Sequence, residues 1–284
     1  MKTKNRVRDI VLWILALLGA LYLYYLVQGI IGEFVYQLVE NGFLSGQFTE
    51  RYYFLDSISC VFLISFYGIW YYALKSKEKK MGNALQKPLQ DSFFIPKIVI
   101  LILGVGGISS MWLDLVDRIL SVIPVFSNSL ENFNGLWENA AHESYIWEFL
   151  SVAFLGPIVE ELLHRGLIYN YIRKIKGEWV AVIGSSLIFG IWHGELVQCV
   201  YTVIAGLAFA IVYKKTGSLK YSIGIHILNN FLTTLPPAWN TDFTYIAIDG
   251  ISRAMALPAL AIFILMVTND RNTKETHLLT EEEI

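Results

Sequence analysis

Long apolar runs alternate with short, charge-bearing stretches along the whole chain. A bilayer core takes about 20 consecutive apolar residues as helix. On that spacing the pattern predicts eight spans, at 10–31, 52–74, 96–116, 146–173, 178–194, 196–213, 219–236 and 251–268. The fifth and sixth meet at Gly194-Glu195 with almost no loop. The expected fold is all-α: a polytopic membrane helical bundle forming one domain over 1–268. A flexible, polar tail follows over 269–284, with Glu281, Glu282 and Glu283 near its end. No internal repeat or low-complexity segment interrupts this organisation.

The polar stretches carry a second pattern. Basic residues collect in alternate segments: Lys2, Lys4, Arg6 and Arg8; Lys75 to Lys97; Arg173, Lys174 and Lys176; Lys214, Lys215 and Lys220; Arg271 and Lys274. The intervening segments 32–51, 117–145 and 237–250 are acidic or nearly free of base. Positive charge marks the cytoplasmic side, so both termini are expected there, which an even number of spans allows. The pattern suits a bacterial cytoplasmic membrane.

Composition narrows the class further. The 284 residues are 55% hydrophobic and 16% charged, too apolar for an ordinary soluble domain. A net charge of −2 gives no reason to expect a nucleic-acid partner. Cys60 and Cys199 lie in apolar runs without metal-type spacing and read as buried free thiols. The first apolar run is long and lacks a small-residue cleavage site, so it reads as a retained span rather than a signal peptide.

Ionisable residues inside spans are costly and mark function. Asp56 and Asp114 fall near expected interfaces, where water would reach them. The deep group is Glu160, Glu161, His164, Arg165, His193, His226 and Asn230. At about 100° per residue, Glu161 and Arg165 are i, i+4 neighbours able to neutralise each other. Glu160 lies on another face, shared with His164, and lacks a cationic partner of its own. Pro157 predicts a kink beside it. His226 and Asn230 project from one face of the seventh span, and Asn229 is turned away from it.

Two imidazoles and a carboxylate (His193, His226 and Glu160) can hold a zinc-like divalent metal with a position left for water. Without metal, Glu160 could serve as general base, with Asn230 and an imidazole donating to an oxyanion. Either chemistry hydrolyses a carbonyl compound, a peptide bond above all, and needs a wet cavity within the bilayer. There is no H-E-x-x-H metalloprotease motif, no G-x-S-x-G elbow, and no aspartate after Gly104-Val-Gly-Gly.

The ordered set E-E-x-x-x-R (Glu160, Glu161, Arg165), F-x-x-x-H (Phe189, His193) and H-x-x-x-N (His226, Asn230) resembles the CPBP family. That family includes type II CAAX prenyl endopeptidases and bacteriocin-processing or self-immunity proteins. The resemblance covers about 147–236 and implies an eight-helix, metal-dependent intramembrane protease acting on a membrane-associated peptide or protein. By motif position Glu160 and His193 would activate water, and His226 and Asn230 would stabilise the oxyanion. Glu161 and Arg165 would support them. Family readings differ on whether zinc is ligated directly. His164 departs from the family pattern, which has an aromatic residue there, and could add a ligand or simply pack. The competing expectations are a non-catalytic immunity or regulatory protein with a membrane-protein partner, and a transporter using Glu160 in a proton path.

Overall fold

The computed structural model describes residues 2–48, 51–80, 91–140 and 143–268. The expected tail over 269–284 lies outside the described residues. Every regular element among them is helical, as the apolar runs predict. In chain order the helices are α1 (Lys2–Glu40), α2 (Tyr52–Lys80), α3 (Phe94–Arg118) and α4 (Pro124–Ala140). A continuous helical run over 145–176 is α5. It is followed by α6 (Glu178–Trp192), α7 (Leu196–Thr216), α8 (Leu219–Thr233), α9 (Asp242–Ala254) and α10 (Ala256–Thr268).

The expected count of eight spans is not matched on length. Four helices are long and apolar enough to cross a bilayer: α1 from Val7, α2, α3 and α7. The pair α9 and α10, bent by 43° at Met255, makes a fifth when taken together. Helices α6 and α8 have 15 residues each, about 22 Å at 1.5 Å per residue, short of a ~30 Å core. Counted from the cytoplasmic ends of full spans, His193 would lie about twice as deep as His226. Short helices can bring their functional ends to one level. The segment 117–145, expected to be a loop, contains α4.

Two apolar clusters hold the bundle. One joins α1, α2, α5 and α6 through Ala20, Leu63, Tyr67, Leu163, Leu167 and Ala181. The other joins α3, α7, α8 and α10 through Ile102, Val105, Phe209, Ile211, Ile225 and Ala259. Large apolar side chains also point outward, such as Leu15, Leu18, Ile69, Ile183 and Ile264. On helices of this length, such faces meet lipid, and the chain is an integral membrane protein.

Helix crossings close where side chains vanish. A Cβ at Gly190 on α6 would meet Val203 and, at 2.8 Å, the carbonyl oxygen of Cys199 on α7. A Cβ at Gly206 would meet Ser186 and Phe189 at 3.2 Å. Lipid supplies no hydrophobic drive between helices, so such close backbone approach carries their association. Gly104 and Gly107 serve likewise where α3 meets the bend between α9 and α10. Gly190→Ala is expected to cost about 1–3 kcal/mol through overpacking. Gly29→Ala, with nothing within 4 Å of the added carbon, should not destabilise. Thermal unfolding of purified protein in detergent compares them, and an unshifted Gly190→Ala midpoint would contradict the close-packing argument.

Candidate active site

The local structure of α5 sets the site. Pro157 has no N–H and its ring crowds the carbonyl four residues back. The chain widens instead of breaking: Phe149–Leu155 and Leu162–Ile168 are π-helical turns flanking the α-helical Gly156–Glu161. The N–H of Gly156 bonds Ser151 and that of Tyr169 bonds His164, each five residues back. Gly156 is needed because the wide turn brings the Ser151 carbonyl against the place a Cβ would occupy. Asn170, fully buried, donates to the carbonyls of Arg165 at 3.0 Å and Gly166 at 2.8 Å, and to the Tyr213 hydroxyl at 2.9 Å. It thereby serves carbonyls that the irregular turn leaves short of partners.

A chain of charged groups runs inward from this helix. Arg165 and Glu161 are both fully buried. Arg165 Nη1 donates to Glu161 Oε1 at 2.9 Å, and its Nη2 donates to the Gly206 carbonyl of α7 at 2.8 Å. Its guanidinium also lies 4.6 Å from the Phe189 ring centroid and 5.3 Å from that of Phe209. The same Glu161 oxygen meets His226 Nδ1 at 3.1 Å. His226 Nε2 then lies 3.4 Å from Glu160 Oε2. Glu161 therefore links the guanidinium to an imidazole, in addition to the pairing expected from its spacing.

Glu160, His193, His226, Asn229 and Asn230 all line one cavity of about 950 Å³. His193 Nδ1 bonds the Phe189 carbonyl at 2.8 Å, so that nitrogen carries the proton and Nε2 is free. Asn230 donates one amide hydrogen to the Val152 carbonyl at 2.9 Å, which leaves its second N–H available. Asn229, turned away in the helical-wheel reading, donates to Asn230 Oδ1 at 3.1 Å and lines the cavity too. Phe189 sits between these groups, its ring 4.8 Å from His193, 5.7 Å from His226 and 5.1 Å from His164.

The structure places three further polar residues of the sequence reading. His164 is fully buried against Phe189 and Trp192, with neither ring nitrogen hydrogen-bonded, and it is not among the cavity-lining residues. It packs, and adds no ligand. Asp56 is not at a watery interface: it is 7% exposed and held by Gln28, Ser151 and Cys60. Asp114 is open to water as expected, its side chain 41% exposed, and it pairs with Arg253, which also binds Asp249 and Ser110 and so ties α9 to α3. Arg253, Asp56 and Asn170 were legible only as single polar residues within or beside apolar runs.

For a metal, the donor types Glu160, His193 and His226 suit zinc. Both imidazoles have Nδ1 fixed by a protein acceptor, the usual arrangement behind a ligating Nε2. Among the described residues, however, no three His, Cys, Asp or Glu side chains are grouped to hold one ion. The donors fit in kind and orientation, but their spacing in this structure does not assemble a three-ligand site.

The bundle is a helical membrane protein whose cavity gathers carboxylate, imidazole and carboxamide side chains. Residues 142–232 match the model of a family described as "Type II CAAX prenyl endopeptidase Rce1-like". A Bacillus subtilis (strain 168) protein described as "Putative membrane peptidase YdiL" is 31% identical over 78 residues. That match takes in 28% of this chain and spans 32% of the relative's length. No solved structure matches the chain. The matched segment carries all three motifs, so the chain's resemblance to the CPBP family is supported through that segment.

Removing the guanidinium tests the charged chain. Arg165→Met strands the buried Glu161 carboxylate and is expected to cost about 3–5 kcal/mol. Adding Glu161→Gln should recover part of that loss. Thermal midpoints in detergent decide, and a double variant no more stable than the single one contradicts the account.

Proposed function

We infer that the protein is an intramembrane endopeptidase that hydrolyses a peptide bond of a membrane-associated peptide or protein. The observation that carries this reading is the convergence of Glu160, His193, His226 and Asn230 on one cavity. Glu160 is the accessible carboxylate of the group, its side chain 25% exposed, while Glu161 is sealed. Glu160, with His193 Nε2 beside the cavity, takes a proton from water as the oxygen attacks the scissile carbonyl carbon. The free N–H of Asn230 and the His226 ring face the resulting oxyanion, and His226 donates to it when its Nε2 carries a proton. The proton held by Glu160 then passes to the leaving amine as the C–N bond breaks, giving a new carboxyl and a new amino terminus. Glu161 and Arg165 are positioning residues that hold the His226 ring.

A divalent ion, zinc by its donor preferences, is an alternative use of the same residues: Glu160, His193 and a His226 ring with Nε2 unprotonated would hold it after their donors move closer than they stand here. When bound, it would supply Lewis acidity and lower the pKa of a coordinated water. Both termini on the cytoplasmic side of a bacterial membrane is the orientation we propose from the basic segments.

Glu160→Gln and His193→Ala are each expected to reduce cleavage of membrane-peptide substrates by about 10²-fold or more, with little effect on protein level. Cleavage that survives both changes would sink the protease reading and favour a binding role for the same cavity. Metal content is a separate measurement. With that ion in use, purified unmodified protein should carry about one divalent ion and His226→Ala clearly less; equal content in the two would remove the ligand assignment.

A further inference from the structure

Asp56 is a buried carboxylate with no cationic partner among the described residues. It stands on α2, outside the family-matched segment, and lines the same cavity as Glu160 and His193. Its Oδ1 accepts from Gln28 Nε2 at 2.5 Å. Its Oδ2 accepts from Ser151 Oγ at 2.5 Å and Cys60 Sγ at 3.5 Å. Gln28 donates, and the Ser151 hydroxyl and Cys60 thiol are able to, so a carboxylate paired with an incoming cation would find its remaining lone pairs met.

Several other carboxylates of the bundle have a cationic side chain beside them. Glu161 has Arg165, Asp114 and Asp249 share Arg253, and Glu78 has Lys75, Arg173 and Lys174. Among the described residues no ion pair involves Asp56, and no Lys or Arg lines the cavity. A lone charge at this depth is costly and rarely kept without a partner. The cavity walls nearby carry Tyr24, Tyr25, Tyr52 and Tyr53, aromatic rings that favour an ammonium or guanidinium over an anion.

We propose that Asp56 selects the substrate, by receiving the ammonium or guanidinium of a Lys or Arg side chain on the peptide whose backbone lies at Glu160. This rests on the protease reading and adds its substrate class: a membrane-associated peptide with a cationic residue close to the scissile bond. Because Asp56, Gln28 and Cys60 come from α1 and α2, the charge preference is set by helices outside the family-matched segment.

The test uses the purified full chain in detergent and apolar peptides in which one Lys is moved position by position, each paired with its norleucine counterpart. At one position, Lys should raise kcat/KM at least about tenfold over norleucine, chiefly through KM. Asp56→Asn should bring that ratio near one. No Lys preference in the unmodified protein, which needs no variant to fold, overturns the inference. So does a preference that persists in Asp56→Asn, or an equal loss for both peptides. Binding of the same peptides to the Glu160→Gln protein, followed by fluorescence anisotropy, separates the two claims. Asp56-dependent binding of Lys peptides without any cleavage by the unmodified protein supports the selectivity and refutes proteolysis. Cleavage without charge preference does the reverse.

Discussion

A guanidinium sealed inside a membrane protein is the constraint around which the rest is arranged. Arg165 is fully buried, and an unpaired charge there would be prohibitive. It is met from several sides: by Glu161, by the Gly206 carbonyl and by the faces of Phe189 and Phe209. Each of these partners imposes something elsewhere. Glu161 must face inward, which presents its other neighbour, His226, with a fixed acceptor. The Gly206 carbonyl is reachable because α7 lies close against α6, and that closeness requires Gly190 and Gly206. Phe189, held beneath the cation, fixes the ring around which His164, His193 and His226 are packed.

The irregularity of α5 follows from the same demand. An uninterrupted α-helix through Pro157 would leave a clash and a missing donor. The two π turns absorb the proline and re-aim successive side chains, so that Glu160 opens to the cavity while Glu161 points into protein. The cost is a set of misaligned carbonyls, met by Asn170. Wide turns of this kind are frequent at functional sites because they move a side chain by one register without ending the helix. Here the registers moved are those of the two glutamates.

Much of this was readable along the chain. The all-helical membrane class followed from apolar runs and sparse charge. The motif residues were identifiable because polar groups inside apolar runs have few reasons to exist. Spacing also found the Glu161–Arg165 pair, since i, i+4 contact survives the irregular turns. Three things were not readable. The count of eight spans is not confirmed at α6 and α8, because apolarity does not say whether a helix crosses or stops at 15 residues. Whether His164 packs or adds a ligand was left open, because a wheel does not show which neighbour covers a face. Asp56 was placed in water because a residue near the end of an apolar run looks peripheral until neighbouring helices cover it.

The sequence by itself determined the solvent of this protein, its helical class and the identity of its chemically capable residues. Those depend on local composition and spacing, which tertiary contacts do not alter. Tertiary structure decided which carboxylate is sealed and which is open, which histidine packs and which faces the cavity, and that Asp56 joins them. Those outcomes depend on how far each helix extends, where it widens and which neighbour covers it. They are properties of packing between segments distant in the chain, and no single segment encodes them.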